Sequence, residues 1–139
     1  MSDLETAIRH LPGHTISLCR GADILTDSKR GVAPMVGFIE SGVNLNGFSV
    51  ADLIVGRAAA MLFVKAGIRQ VYAVTLSRGA KEYLEVHGIP VRYETLTDKI
   101  LNRDKTGICP MEDAVTGLDD AEDGWNAICA RLAALRAAH

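Results

Sequence analysis

The sequence predicts an α/β domain of three layers, with helices on both faces of a mixed sheet. Three stretches carry that prediction. Gln70 to Leu76 (QVYAVTL) is a continuous apolar, β-rich run, as expected of a strand buried on both faces of a parallel sheet. Thr15 to Arg20 (TISLCR) and Asp23 to Asp27 (DILTD) read as short strands around Gly21-Ala22. A Gly-first pair suits a tight II′ turn, so the first hairpin is antiparallel. Ser49 to Gly67 (SVADLIVGRAAAMLFVKAG) is apolar at nearly every turn, with only Asp52, Arg57 and Lys65 charged. It reads as a central buried helix, with Ser49 as cap, Asp52 completing a capping box and Gly67 as the left-handed end. Arg57 near its middle, and the lack of an unbroken apolar run of about 18 residues, argue against a membrane span.

The remaining elements follow in order. Ser2 and Glu5 form a capping-box pattern ahead of Leu4, Ala7, Ile8 and Leu11 at helical spacing, and Pro12-Gly13 stops that helix. KRGVAPMVGFIESG reads as a short helix with Pro34 in its first turn, Met35, Phe38 and Ile39 on its apolar side and Gly42 at its end. Asn44 to Gly47 is a turn. Ser77 caps a helix with Ala80, Tyr83, Leu84 and His87 on one face, and Gly88 and Pro90 end it. Val91 to Leu96 (VRYETL) is a more polar strand placed near a sheet edge. Thr97 to Cys109 is a polar loop, and Pro110 opens a short helix through Met111 and Val115. The last helix carries Trp125, Ile128, Leu132 and Leu135 on one face, with acids at its start and Arg131, Arg136 and His139 towards its end. No repeat or linker divides the chain. A single domain over residues 1–139 is expected, with its core over about 13–115 and a C-terminal helix over about 121–138.

Composition narrows the classes. Fifteen basic against 17 acidic residues leave a net charge of −2, so no electrostatic footprint for nucleic acid or an anionic membrane is present. The acidic start MSDLETAIRHL has no apolar signal region, which points away from secretion. Cys19, Cys109 and Cys129 are odd in number and far apart. They fit reduced thiols in a cytoplasm better than a disulfide framework.

The phrases SVADLIVGRAAAMLFVKAGIRQVYA, SRGAKEYLEVHGIPVRYE and NRDKTGICPMEDAV resemble a small bacterial family of unknown function assigned to the cytidine deaminase-like fold. That resemblance implies the fold and no established activity. In zinc deaminases a His or Cys, Ala and a catalytic Glu begin the second helix, and a Pro-Cys-x-x-Cys begins the third. Counted along this chain, the first set falls within Ile54 to Ala58 (IVGRA) and the second at LSRGAKE. Neither supplies the ligands, and catalytic zinc needs three from the protein. No metal, no other cofactor and no zinc-dependent deamination are expected.

Three groups of residues remain as candidates. Arg57 interrupts an apolar helix. Asp52 lies about 140° round from it and is no same-face partner, so the guanidinium either ties to a distant carboxylate or holds a phosphate or carboxylate in its fork. Ser77, Arg78 and Gly79 start a helix straight after a central strand, where open sheets bind ligands and free N–H groups favour anions. A plain Ser cap is the alternative. Cys109 with Glu112 (CPMED) forms the most suggestive short motif: Pro110 makes Cys109 the N-cap, which favours a thiolate. Glu112 is alternatively a cap bonding back to the Cys109 N–H. Asn102, Arg103 and Asp104 join the site if their loop folds over the helix starts. The reading is a small-anion or nucleotide-like ligand-binding protein, regulatory rather than catalytic, in the cytoplasm and expected to be a homo-oligomer. A thiol-dependent enzyme using Cys109 and a purely oligomeric interaction module are the alternatives.

Overall fold

Polar turns and glycines cut the chain into short elements that alternate between strand and helix. The computed structural model describes residues 1–102 and 104–138. Within them lie α1 (Asp3–His10), β1 (Ile16–Arg20), β2 (Asp23–Asp27), α2 (Ala33–Glu40), β3 (Ser49–Val55) and α3 (Arg57–Ala66). There follow β4 (Gln70–Ser77), α4 (Arg78–Val86), β5 (Val91–Thr97), α5 (Pro110–Ala114) and α6 (Ala121–Ala137). The strands form one sheet in the order β2-β1-β3-β4-β5. β1 pairs antiparallel with both β2 and β3, while β3, β4 and β5 run parallel. This is the expected mixed α/β sheet with an antiparallel first hairpin, in which a helix and a hairpin are followed by alternating helices and strands.

One element departs from expectation. Ser49 to Gly67 is not a single helix: its first seven residues are β3, in the middle of the sheet, and only Arg57–Ala66 is helical. A short apolar run has no periodicity that separates a buried strand from a buried helix. Val50, Ile54 and Val55 are β-branched and favour the pleat, and Gly56, with no side chain, marks the break. Ser49 therefore caps nothing; it is buried, and its hydroxyl accepts from the Gln70 amide at 3.3 Å. Asp52 is a buried strand residue rather than part of a capping box, and Arg57 opens a helix instead of interrupting one. Gly67 does end the helix in the left-handed region, at φ 76°.

The extra strand also moves the zinc-site count along by one element. The second helix of the fold is α2, opening at Val32-Ala33-Pro34, and the third is α3, opening at Gly56-Arg57-Ala58. Neither opening contains His, Cys or Glu.

Two cores result. α1 covers one face through Ala7 and Leu11, against Cys19 and Ala51, with Tyr72 and Val74 half-buried beside them. The larger core on the other face joins α2, α3 and α4 to the sheet, and α6 lies outside α3, so α3 is covered from both sides. Every residue from Ala58 to Phe63 is buried. The approach of α6 is tight: a Cβ on buried Gly124 would lie 2.6 Å from Met61 Cε. Replacing fully buried Ala60 with Leu is accordingly expected to cost about 1–3 kcal/mol in a denaturant melt. Exposed Glu85→Ala, which loses an i,i+4 pair with Lys81, should stay within about 0.5 kcal/mol. Equal small effects would contradict the double coverage of α3.

The other elements match their sequence signals. The Ser2 hydroxyl accepts from the Glu5 N–H and the Ser77 hydroxyl from the Ala80 N–H. β5 is an edge strand. His87 stacks on Tyr83 at 4.3 Å but is exposed rather than packed away. His139, expected to favour the end of α6, lies outside the described residues, as does Arg103.

Candidate functional site

The carboxyl ends of β3 and β4 feed directly into α3 and α4, and the two helix starts lie side by side. α3 begins without a side-chain cap of its own, because its N-cap is Gly56 in an extended conformation. The first turn of a helix presents free N–H groups and a partial positive charge. A distant carboxylate answers them. Glu112 Oε1 accepts from the Arg57 N–H and Oε2 from the Ala58 N–H, both at 2.8 Å. The approach depends on Gly56, since a Cβ there would land on the Glu112 carboxyl group. Glu112 therefore does not bond back to Cys109, whose N–H donates to the Ile100 carbonyl at 3.1 Å.

The Arg57 side chain is engaged beside this contact. One of its terminal nitrogens donates to the Leu118 carbonyl and pairs with Asp119 at 2.9 Å. The guanidinium lies 5.0 Å above the Tyr83 ring, and the Tyr83 hydroxyl donates to the Asp119 carbonyl at 2.7 Å. Burial raises the Tyr83 phenol above its ordinary range, with Arg57 pulling the other way. Arg57 Nε is buried without a partner among the described residues. Asp119 is almost fully exposed, so the ion pair alone contributes little. The carbonyl bond and the aromatic face are what seat the guanidinium.

Gly79 joins this group: a Cβ on it would stand 4.0 Å from the Arg57 Cβ, so it lets the α4 start approach α3. Ser77 is the buried α4 cap. Arg78 points away and pairs with Asp98 at 2.6 Å in an exposed position. Asn102 turns its own loop, donating to the Thr106 hydroxyl and accepting from the Thr106 N–H. Asp104 is exposed in that loop, which is closed by a bridge between Leu101 and Ile108. Cys109 is the N-cap of α5 without a side-chain hydrogen bond, and it lies half-buried against the larger core. The structure thus gathers Arg57, Gly79 and Glu112, keeps Ser77 adjacent, and sends Arg78 elsewhere.

Two features have no counterpart in the sequence reading of the site. α5 is tied to α6 by Arg131, which donates to the Pro110 carbonyl at 2.9 Å and pairs with Asp113 at 3.0 Å. Residues so far apart leave no local pattern. The second is Asp52, 6% exposed in β3. Burial pushes its carboxyl up to about 8, against the opposing pull of the Ile54 and Leu53 backbone N–H groups. A lone carboxylate in a β-branched apolar run was the available signal. Among the described residues no group of three or more His, Cys, Asp or Glu is placed to hold a metal ion.

Comparison with known proteins fits this architecture. The crystal structure of a DUF1893 family protein (TM1506) from Thermotoga maritima superposes with a TM-score of 0.85 at 24% identity, covering 94% of this chain and 91% of that one. Apo dCMP deaminase from the cyanophage S-TIM5 is similar at a TM-score of 0.46 and 13% identity, over 65% of this chain and 92% of that one. A Thermotoga maritima diaminohydroxyphosphoribosylaminopyrimidine deaminase/5-amino-6-(5-phosphoribosylamino)uracil reductase gives 0.43 and 14%, over 80% of this chain and 39% of that one. Comparison with curated proteins gives no match. The model of the TM1506 family, a domain of unknown function (DUF1893), matches residues 10–132, and the chain belongs to that family.

Proposed function

We propose that this protein binds a small anionic, nucleotide-like ligand at the adjoining starts of α3 and α4, as a regulatory rather than a catalytic component. One observation carries the reading: the first two N–H groups of α3 already hold a carboxylate through both of its oxygens. That geometry suits a phosphate or carboxylate equally, at the carboxyl ends of parallel strands where open α/β sheets bind ligands. Glu112 is then the internal occupant that a ligand replaces. The Arg57 fork, held at Asp119 and Leu118 in this state, would be the second group recruited.

Thermal melts test this. A ligand bound to the folded state alone stabilises by RT ln(1 + [L]/Kd), about 2.7 kcal/mol at a hundredfold excess over Kd. Pyrophosphate and nucleoside monophosphates are expected to raise the melting temperature, and uncharged nucleosides are not. The shift should be larger in Glu112→Ala, which removes the competing carboxylate. An unmoved melt in both proteins with every anion would sink the reading.

A second reading, the interaction module, draws support from large apolar side chains left exposed: Leu53 38%, Ile54 54%, Leu101 48% and Ile108 43%. The same melts run at two protein concentrations separate the two. Concentration-dependent melting without any anion effect favours assembly. For the thiol-enzyme alternative, the described histidines His10, His14 and His87 bond to Thr6, Ser28 and Tyr83 rather than to Cys109.

A further inference from the structure

Asp52 has no part in the anion site, yet it is the most unusual charge-bearing group in the fold. It sits in the central strand, in register with Ile16 of β1 and Ala73 of β4. Both neighbours belong to the larger core. At 6% exposure an ionised carboxylate there has little water, and no counter-charge among the described residues, to stabilise it.

The cations of the surrounding elements are committed elsewhere. α1 packs on the opposite face of β3, with Ala51, and carries Asp3, Glu5, Arg9 and His10, of which Arg9 turns to Met1 and His10 to the Thr6 carbonyl. In α3, Arg57 is turned to Asp119 and Lys65 to Glu122. In α5, Glu112 is on the α3 N–H groups and Asp113 on Arg131 of α6. β1 offers only Arg20, held by the Asn44 and Asn46 carbonyls, and β4 carries no Asp, Glu, Lys, Arg or His. Tyr72 of β4 belongs to the opposite face with Ala51 and is coupled to Glu94 of β5. In α2 the sole charge is Glu40 at its last residue, and in α4 Arg78 pairs with Asp98 and Lys81 with Glu85, while Glu82 is exposed. Among the described residues no cation lies within salt-bridge distance of Asp52, and only burial and backbone N–H groups act on its titration.

Its position in the chain gives this a consequence. Asp52 is followed at once by Leu53 and Ile54, both exposed, and then by Val55-Gly56, the junction at which Glu112 binds. We propose that Asp52 is a proton-operated switch of the β3–α3 junction. In its neutral form the carboxyl is part of the core and the junction is closed. In its ionised form it draws water to the end of β3, loosens Leu53 to Gly56 and releases the Glu112 carboxylate from the α3 N–H groups. The switch belongs to the free protein and does not depend on any bound anion.

The test is an NMR titration of the full chain from pH 5 to 9.5, in chloride buffer without phosphate or nucleotide. The Asp52 carboxyl carbon is followed directly, and hydrogen-exchange protection of Ile54, Arg57 and Ala58 is followed in parallel. The expected result is a carboxyl midpoint at least two pH units above the ordinary carboxylate range. Protection factors should fall at least tenfold across that midpoint in the wild type and stay level in Asp52→Asn. An Asp52 midpoint below pH 5 overturns the proposal, and it needs no variant to be read. A high midpoint with unchanged protection at Arg57 and Ala58 also overturns it, because the proton would then be bound without operating the junction.

Discussion

Asp52→Asn is expected to make the protein more stable at alkaline pH and to remove most of the pH dependence of its stability between pH 4 and 8. An unfolded aspartate titrates near 3.9, whereas burial holds this one at about 8. Below about pH 4 both states carry the proton, and Asp52 contributes no slope. Between about 4 and 8 the folded state binds one proton more than the unfolded state. Stability therefore falls as pH rises, by about 1.4 kcal/mol per unit while that difference persists. Above about pH 8 both states are ionised, and the penalty is constant. This is the reverse of an ion-paired aspartate, which adds stability as pH rises. Against a total stability of about 5–15 kcal/mol, a loss of a few kcal/mol is a large share. Urea melts of both proteins from pH 4 to 9 measure it. Parallel profiles for the two would mean that the carboxyl titrates normally in the fold.

The other large effect is expected at Gly56. Its backbone is extended, a conformation that any residue adopts, so Gly56→Ala costs nothing in backbone strain. The cost is steric: the new methyl group occupies the place of the Glu112 carboxyl group. Two charge-assisted hydrogen bonds and a favourable helix-dipole contact are lost together, about 2 kcal/mol in all. Glu112→Ala should cost a similar amount. The double variant should cost little more than either alone, since each substitution removes the same contact. A coupling of about 1.5 kcal/mol or more from four denaturant melts is the expected signature. Additive losses would show that Gly56 and Glu112 act independently.

Much of the fold was legible in short-range chemistry. The Gly21-Ala22 turn, the Ser2 and Ser77 caps, Pro34 and Pro110 in first turns and Gly67 at φ 76° are local features with local causes. β4 was legible because it is β-rich throughout, and α4 because its apolar positions recur at helical spacing. β3 was not. SVADLIV is apolar enough for either element, and what makes it a strand is pairing with β1 and β4 on its two sides. That single misreading placed Arg57 mid-helix and hid the burial of Asp52.

The candidate site divides along the same line. Arg57, Gly79 and Glu112 were recognisable from the sequence by itself as unusual residues where they stand, but the helix openings were not: the sequence count puts them at Ile54 to Ala58 and at LSRGAKE, and the extra strand moves them to the starts of α2 and α3. The tertiary structure alone decided what those residues do. Glu112 reaches the start of α3 across 55 residues of chain, Arg57 finds Asp119 across 62, and Arg131 holds α5 from 18 residues beyond Asp113. The physical reason is range. A cap or a turn is satisfied within a few residues and leaves its pattern there. A buried helix start must be satisfied by whatever the packed fold brings to it, and that partner is chosen by topology rather than by its neighbours in sequence.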